Sequence, residues 1–362
     1  MADGFNRKIV LENGDEYLGY GFGAKVERVC EVVFNTSIVG YQEIVSDSSY
    51  TNQMVVMTYP LIGNSGTADD DFESKTPLIG ALVVREYNDQ PSNFRYTHTL
   101  SEILEEAGIP AIAGLDTRKL ARYIRDNGTC RALITDVETS KEDALKKIAE
   151  APVCENPVEQ VSCRKRWYSR TSNHKFTVVA VDCGIKLSTI RGLNARGCNV
   201  TVVPWNTSAD VIRAMKPDGI YISNGPGNPE NVQSVIELVR ELRGEKPIFG
   251  LGLGHHLIAL AYGAKIGRLK FGHHGTNHPV RNLETGKIEM TAQNHLYAVD
   301  PASVEGTDLT ITHINVLDNT VEGLECAADK LFAVQFHPDS APELMDKGYL
   351  FDKFIRYMKE AK

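Results

Sequence analysis

The sequence predicts an α/β protein in two parts: an N-terminal mixed α/β domain over residues 1–150 and a doubly wound parallel sheet over residues 176–362. Three observations predict it. At 362 residues the chain exceeds what one hydrophobic core ordinarily organises. The first half alternates short strand-like runs with Gly, Asn and Asp turn signals. The second half repeats a strand followed by an amphipathic helix, the pattern of a parallel sheet covered on both faces.

In the first half the runs "KIVLENG", "EVVFNTS", "QMVVMTYP" and "IGALVV" read as strands with much antiparallel pairing. Helices come late. "TLSEILEEAG" has a threonine or serine cap, acidic residues near its start and a glycine stop, and "DTRKLARYIRDNG" repeats the scheme with Asp116 as cap and Gly128 as terminator. Between residues 151 and 175 periodicity is lost and prolines appear, which reads as an interdomain linker; its cluster Arg164, Lys165 and Arg166 reads as a solvated charge run.

From Phe176 the pairs are "FTVVAVD" with "IKLSTIRGLNARG", "NVTVVP" with "SADVIRAMKP", "GIYIS" with "NPENVQSVIELVRELRG", and "PIFG" with "HHLIALAYG". The C-terminal "LFDKFIRYMKEAK" reads as a closing helix. In such sheets ligands bind beyond the carboxyl ends of the strands. Three sequences fall there: "NGPGNPE", "GLGLGHH" and "QFHPDSAPE".

Composition narrows the class. Hydrophobic residues are 42% and charged residues 24%, as in ordinary soluble domains, and a formal net charge of −8 argues against nucleic acid as a partner. No apolar run reaches membrane-spanning length and the N-terminus lacks a signal-peptide core, so neither a membrane nor secretion is expected. Seven cysteines without a Cys-x-x-Cys pair fit a reduced, cytoplasmic chain.

The stretch "KPIFGLGLGHHLIALAYG" reads as a buried strand, a sharp turn and an apolar helix, the form that presents a nucleophile at its apex. Here the apex is Gly252. The N–H of Leu253 opens the helix, where partial positive charge can hold an oxyanion. In "NGPGNPE", Asn228 caps a helix with Pro229 at its first position and Glu230 just inside, while Gly225 and Gly227 let backbone N–H groups approach a ligand. In "QFHPD", His337 and Asp339 are two residues apart, so in extended chain both side chains emerge on one side and the carboxylate can orient the imidazole.

In this order on this kind of sheet, the three motifs resemble the class I glutamine amidotransferases, whose elbow reads Gly-x-Cys-x-Gly and whose later motif is His-Pro-Glu. With "VVFNTSIVGYQEIVSDSSYTNQMVVMTYPLIGNSG", "AIAGLDTRKLAR", "KFGHHGTNHPV" and "TAQNHLYAVD", the whole chain resembles the carbamoyl-phosphate synthetase small subunits.

The resemblance implies a chemistry in which a histidine-activated cysteine attacks the amide of L-glutamine, giving a thioester and ammonia. The ammonia passes to a large subunit that uses bicarbonate and ATP, so ATP and a divalent metal belong to that subunit and no cofactor to this chain. It implies His337 as base, Asp339 as its orienting carboxylate in place of glutamate, and Ser49, Gly225, Gly227, Leu253, Asn294 and Tyr297 around glutamine. Three positions depart from the pattern: Gly252 stands for the cysteine, His256 for a glutamine and Leu296 for a glycine.

A hydrogen cannot attack an amide carbon, so thioester chemistry is expected to be absent; losing the nucleophile of a related hydrolase machinery costs about 10⁶ in kcat. Cys183 is the nearest other thiol by topology, and His256 with His337 could act on water. Other readings fare worse. A dinucleotide fingerprint would need glycine at 255, where histidine stands. His273, His274 and His278 lack a fourth ligand for zinc, so no metal is expected. Asp69 to Asp71 read as a solvated loop. Two readings stay open: a glutamine-hydrolysing subunit carrying a substitution at 252, and a natural pseudo-glutaminase serving a synthetase that draws ammonia from solution. The three departures together favour the second.

Overall fold

The computed structural model describes residues 4–338 and 348–361. They form two compact units, residues 1–154 with 270–274, and residues 155–269 with 275–362.

The N-terminal unit is a mixed sheet closed into a barrel. Its strands are β1 (Arg7–Leu11), β2 (Glu16–Gly23), β3 (Arg28–Asn35), β4 (Gln53–Met57), β5 (Leu61–Ile62), β6 (Ala81–Val83), β7 (Glu86–Tyr87), β8 (Pro110–Ala113) and β9 (Cys130–Asp136). The barrel order is β1-β2-β8-β6-β4-β3-β9, and β5 pairs separately with β7. The β3–β4, β4–β6 and β6–β8 pairs are parallel and the other barrel pairs antiparallel, while β5 and β7 run parallel. Alternate residues fill its core: Ile9 and Leu11, Met54 and Val56, Ala81 and Val83.

Four helices accompany it, α1 (Tyr41–Ser46), α2 (Leu100–Glu106), α3 (Thr117–Asn127) and α4 (Lys141–Glu150). Their ends follow the sequence signals. Thr99 and Glu102 form a reciprocal capping box on α2. Asp116 caps α3 by accepting from the Lys119 N–H, and Gly128 ends it at φ 98°. Leu120 and Ile124 of α3 pack into the barrel core, while α4 lays Ala144 and Ile148 on Val10 and Leu133. Asp69 to Asp71 form a short 3₁₀ turn, with Arg95 3.3 Å from Asp71 and 3.8 Å from Asp70, so an ion pair accounts for the acidic run.

The C-terminal unit begins with α5 (Val158–Val161) and β10 (Trp167–Ser169), both inside the segment read as a linker; β10 pairs with β12 (Cys198–Pro204). The other strands are β11 (Phe176–Asp182), β13 (Gly219–Ile222), β14 (Ile248–Leu251), β15 (Ile266–Asn282), β16 (Ile288–Val299), β17 (Thr310–Asn315), β18 (Val321–Cys326) and β19 (Leu331–Val334). The helices are α6 (Leu187–Ala195), α7 (Ala209–Ala214), α8 (Gln233–Leu242), α9 (Leu253–Ala261), α10 (Pro301–Val304) and α11 (Tyr349–Glu360).

This sheet corrects the expectation of a doubly wound parallel sheet. Its ten strands run β10-β12-β11-β13-β14-β19-β18-β16-β15-β17, and only the block β12-β11-β13-β14-β19 is parallel. Antiparallel pairings outnumber the parallel ones. The physical reason lies in the connections. Short turns join β15 to β16, β17 to β18 and β18 to β19 where the parallel block has crossover helices, and strands joined by short turns can pair only antiparallel; β16 reaches β17 through α10. Asn319 and Lys330 hold two of those turns with φ of 62° and 49°.

Within the parallel block both faces are buried. Val179 and Val181 of β11 point into the layer shared with α8 and α9, while Val178 and Ala180 point into the layer shared with α6 and α11. Phe249 centres the second layer, stacked on Phe332 at 4.5 Å and edge-on to Tyr221 at 5.4 Å. No helix among the described residues is long and apolar enough to cross a membrane, and all seven cysteines are free thiols.

Candidate active site

The strand β14 and the helix α9 meet at Gly252, with φ 59° and ψ −111°. A left-handed φ costs an L-residue roughly 1–2 kcal/mol and glycine almost nothing. The turn is anchored on both sides: the Gly252 N–H donates to the Val334 carbonyl at 2.9 Å, and the Gly252 carbonyl accepts from the His255 N–H at 3.1 Å. This is the elbow predicted from the sequence, with its apex at the C-terminal end of a parallel strand.

The apex faces His337. A Cβ built on Gly252 would stand 3.2 Å from Asn224 Cβ and 4.0 Å from His337 Cε1. His337 is buried and held by its own backbone N–H, which donates to the Ala292 carbonyl at 2.9 Å. A Cβ at 252 would thus press first on Asn224 and lie within 4.0 Å of the imidazole. Asp339, the expected orienting carboxylate, lies outside the described residues.

The loop after β13 closes against the elbow. Gly225 is required there, since a Cβ on it would fall 2.1 Å from the Cys183 carbonyl oxygen and 3.0 Å from Leu253 Cδ2. Asn224, fully buried, donates through Nδ2 to the Gly184 carbonyl at 3.0 Å, and Ser223 Oγ accepts the Cys183 N–H at 2.9 Å while donating to the Asn224 carbonyl. Asn228 caps a three-residue 3₁₀ turn, Pro229–Asn231, where a helix start was expected, and α8 begins only at Gln233; Gly227 sits against Pro157 at φ 92°. Leu253 is the first residue of α9, where the N–H groups have no partner within the helix.

Two histidines follow. His255 is fully buried, with Nδ1 3.1 Å from Gln335 Oε1; burial pulls its pKa down to about 4, the Gln335 hydrogen bond opposes the shift and the charge of His313 adds to it. His256, one helical turn beyond Gly252, is also buried. Desolvation first, then the charge of His255, push its pKa well down against a hydrogen bond with the Tyr297 backbone. It is a neutral imidazole at pH 7 and a poor base for water.

Asn294, Leu296 and Tyr297 all lie on β16, Leu296 buried and the other two half-buried. Ser49 lies in the N-terminal unit, in the turn Ser48–Tyr50, where its N–H is capped by Asp47 Oδ1 at 2.9 Å. Cys183 does not replace the missing thiol: burial among apolar side chains drives its pKa far above the ordinary thiol value. His273 and His274 are consecutive and both buried on β15, and His278 lies four residues beyond His274 on the same strand.

Sequence reasoning missed Asn224, which walls the space beside the apex, and the buried polar strand positions Gln293, His295 and Glu322. For Glu322 there is no distinct signal in the sequence, since the strand "VEGLEC" also holds Glu325, which is only partly buried.

Comparison with known proteins agrees with this geometry. Residues 179–357 match the profile of the family described as glutamine amidotransferase class-I. That places the unit carrying the elbow in a class. Residues 9–134 match the carbamoyl-phosphate synthase small chain, CPSase domain. Over 98% of its length the chain is 48% identical to the carbamoyl phosphate synthase small chain of Staphylococcus saprophyticus, covering 97% of that protein. It is 47% identical to that of Listeria innocua, with 97% of this chain and 96% of the relative covered. With the small chain of Fusobacterium nucleatum the identity is 46%, and the coverage 97% and 98%. The chain belongs to the carbamoyl-phosphate synthase small chain family.

Proposed function

We propose that this chain is the small subunit of a carbamoyl-phosphate synthetase, the subunit class that supplies ammonia from glutamine, and that in this chain the glutamine-hydrolysing half-reaction is silent. Residues 1–150 would be its small-subunit domain and residues 176–362 its amidotransferase domain, joined through 151–175. Its partner is the large subunit, which carries ATP and a divalent metal.

The observation that carries the silent reading is the apex: a Cβ there would stand 4.0 Å from the His337 ring, and position 252 has none. Thioester formation needs a thiolate there, and neither Cys183 nor the low-pKa His256 can stand in. His337, Leu253, Gly225 and Gly227 remain as base, oxyanion donor and cradle, and Asp339 as the base's orienting group. What survives is binding without turnover, with His256 and Leu296 altering the contacts that Asn294 and Tyr297 make with L-glutamine.

The test is direct. With the large subunit, the chain should support carbamoyl phosphate synthesis from ammonium and fail to do so from glutamine. A labelled glutamyl adduct trapped on the unaltered chain would defeat the proposal. A second reading, a glutamine-hydrolysing subunit carrying a substitution at 252, is supported by the sharp strand-to-helix turn that remains at Gly252. Gly252→Cys separates the two: full glutaminase recovery supports the single alteration, and continued inactivity implicates His256 and Leu296.

A further inference from the structure

A chain of buried polar groups runs from β16 to β18, and its hydrogen bonds fix one protonation state. Thr291 Oγ donates to the His278 carbonyl at 2.8 Å, so toward Gln293 it can only accept. Gln293 Nε2 lies 3.1 Å from that Oγ and 3.0 Å from Glu322 Oε2, which commits both amide hydrogens. The amide is thereby oriented, and its Oε1 faces His295 Nε2 at 3.1 Å. An amide oxygen cannot donate, so Nε2 carries a proton. On the other side of the ring Nδ1 lies 2.7 Å from the Tyr297 carbonyl oxygen, again an acceptor only, so Nδ1 carries a proton too. A ring with two N–H groups is an imidazolium.

We propose that Glu322 is a positioning residue: its buried carboxylate keeps His295 doubly protonated, and through it fixes the carbonyl of Tyr297. Glu322 is fully buried, a costly place for a charge without a counter-charge, and its Oε1 stands 3.9 Å from His295 Nε2. A neutral histidine would require a protonated Glu322, an inverted Gln293 amide and a Thr291 hydroxyl withdrawn from the His278 carbonyl. The Tyr297 backbone also hydrogen-bonds His256 on α9. The Tyr297 backbone thus links the elbow helix to the strand bearing Asn294, Leu296 and Tyr297. The consequence for ligand binding rests on the reading of that strand as part of the glutamine pocket; the protonation state does not.

The experiment is ¹⁵N NMR of the whole chain labelled at histidine, at neutral pH, with His295 assigned by the signals lost in His295→Asn. Two protonated ring nitrogens are expected in the unaltered chain and in Glu322→Asp, and one in Glu322→Gln. A bare ring nitrogen on His295 in the unaltered chain overturns the proposal, as does retention of both protons in Glu322→Gln. Should Glu322→Gln fail to fold, the unaltered spectrum decides alone. Calorimetry with L-glutamine reads the consequence: about tenfold weaker binding in Glu322→Gln supports it, as 1.4 kcal/mol corresponds to a factor of ten. Equal binding, or no binding to the unaltered chain, overturns the link to the pocket while the spectra still decide the protonation.

Discussion

A Cβ on Gly252 would stand 4.0 Å from Cε1 of His337, and it would reach that place only from a backbone with φ 59°. Catalytic direction and backbone strain are thus the same geometric fact. Gly252→Cys should lower the unfolding free energy by about 1–2 kcal/mol, the usual cost of a left-handed L-residue. Crowding of the new Cβ against Asn224 Cβ, at 3.2 Å, adds to that cost. Urea unfolding of the two chains checks it, and equal midpoints would show that the elbow is not strained.

His337 gives a second prediction, because its role depends on what stands at 252. In the unaltered chain His337→Asn should leave ammonium-dependent carbamoyl phosphate synthesis with the large subunit unchanged. In the Gly252→Cys background the same change should lower any restored glutaminase by roughly 10²–10⁴, the usual contribution of a positioned acid–base group. Steady-state rates with each nitrogen source distinguish the cases.

How much of this was readable in advance depended on whether the signal was local. Asp116, Thr99 and Gly128 marked helix ends because capping acts within one turn. Gly252 marked the elbow for the same reason. The antiparallel part of the second sheet was missed because the strand–helix rhythm of residues 176–263 was extended over a region whose strands are joined mostly by short turns. Residues 270–274 group with the N-terminal unit although β15 runs on through Asn282 without a break, and nothing in "KFGHHG" signals the change. Glu322 was invisible as a partner of Gln293 and His295 because β16 and β18 meet only in the folded sheet.

Gly225 supplies a third prediction. With its missing Cβ placed 2.1 Å from the Cys183 carbonyl, Gly225→Ala cannot be accommodated without moving the loop or the strand end. Overpacking of this kind costs roughly 1–3 kcal/mol, and the displaced loop would shift Leu253. Thermal unfolding should show the loss, and any L-glutamine binding should weaken with it; an unchanged midpoint would mean the loop yields freely.

Acid sensitivity is the last prediction. Burial holds His255 and His313 at a pKa of about 4, and His256 well below its ordinary value. In the unfolded chain each titrates near 6.5. Between these limits the unfolded state binds more protons than the folded one, so stability falls as pH drops from about 6.5 toward 4 and is unaffected above about 7.5. A depressed imidazole of this size contributes on the order of 3 kcal/mol over the window. His255→Gln should flatten the decline, because glutamine carries no charge to suppress, even if it weakens the chain at neutral pH through lost packing. Urea midpoints at pH 7, 6 and 5 for both chains measure it, and parallel declines would show that His255 is not among the groups responsible.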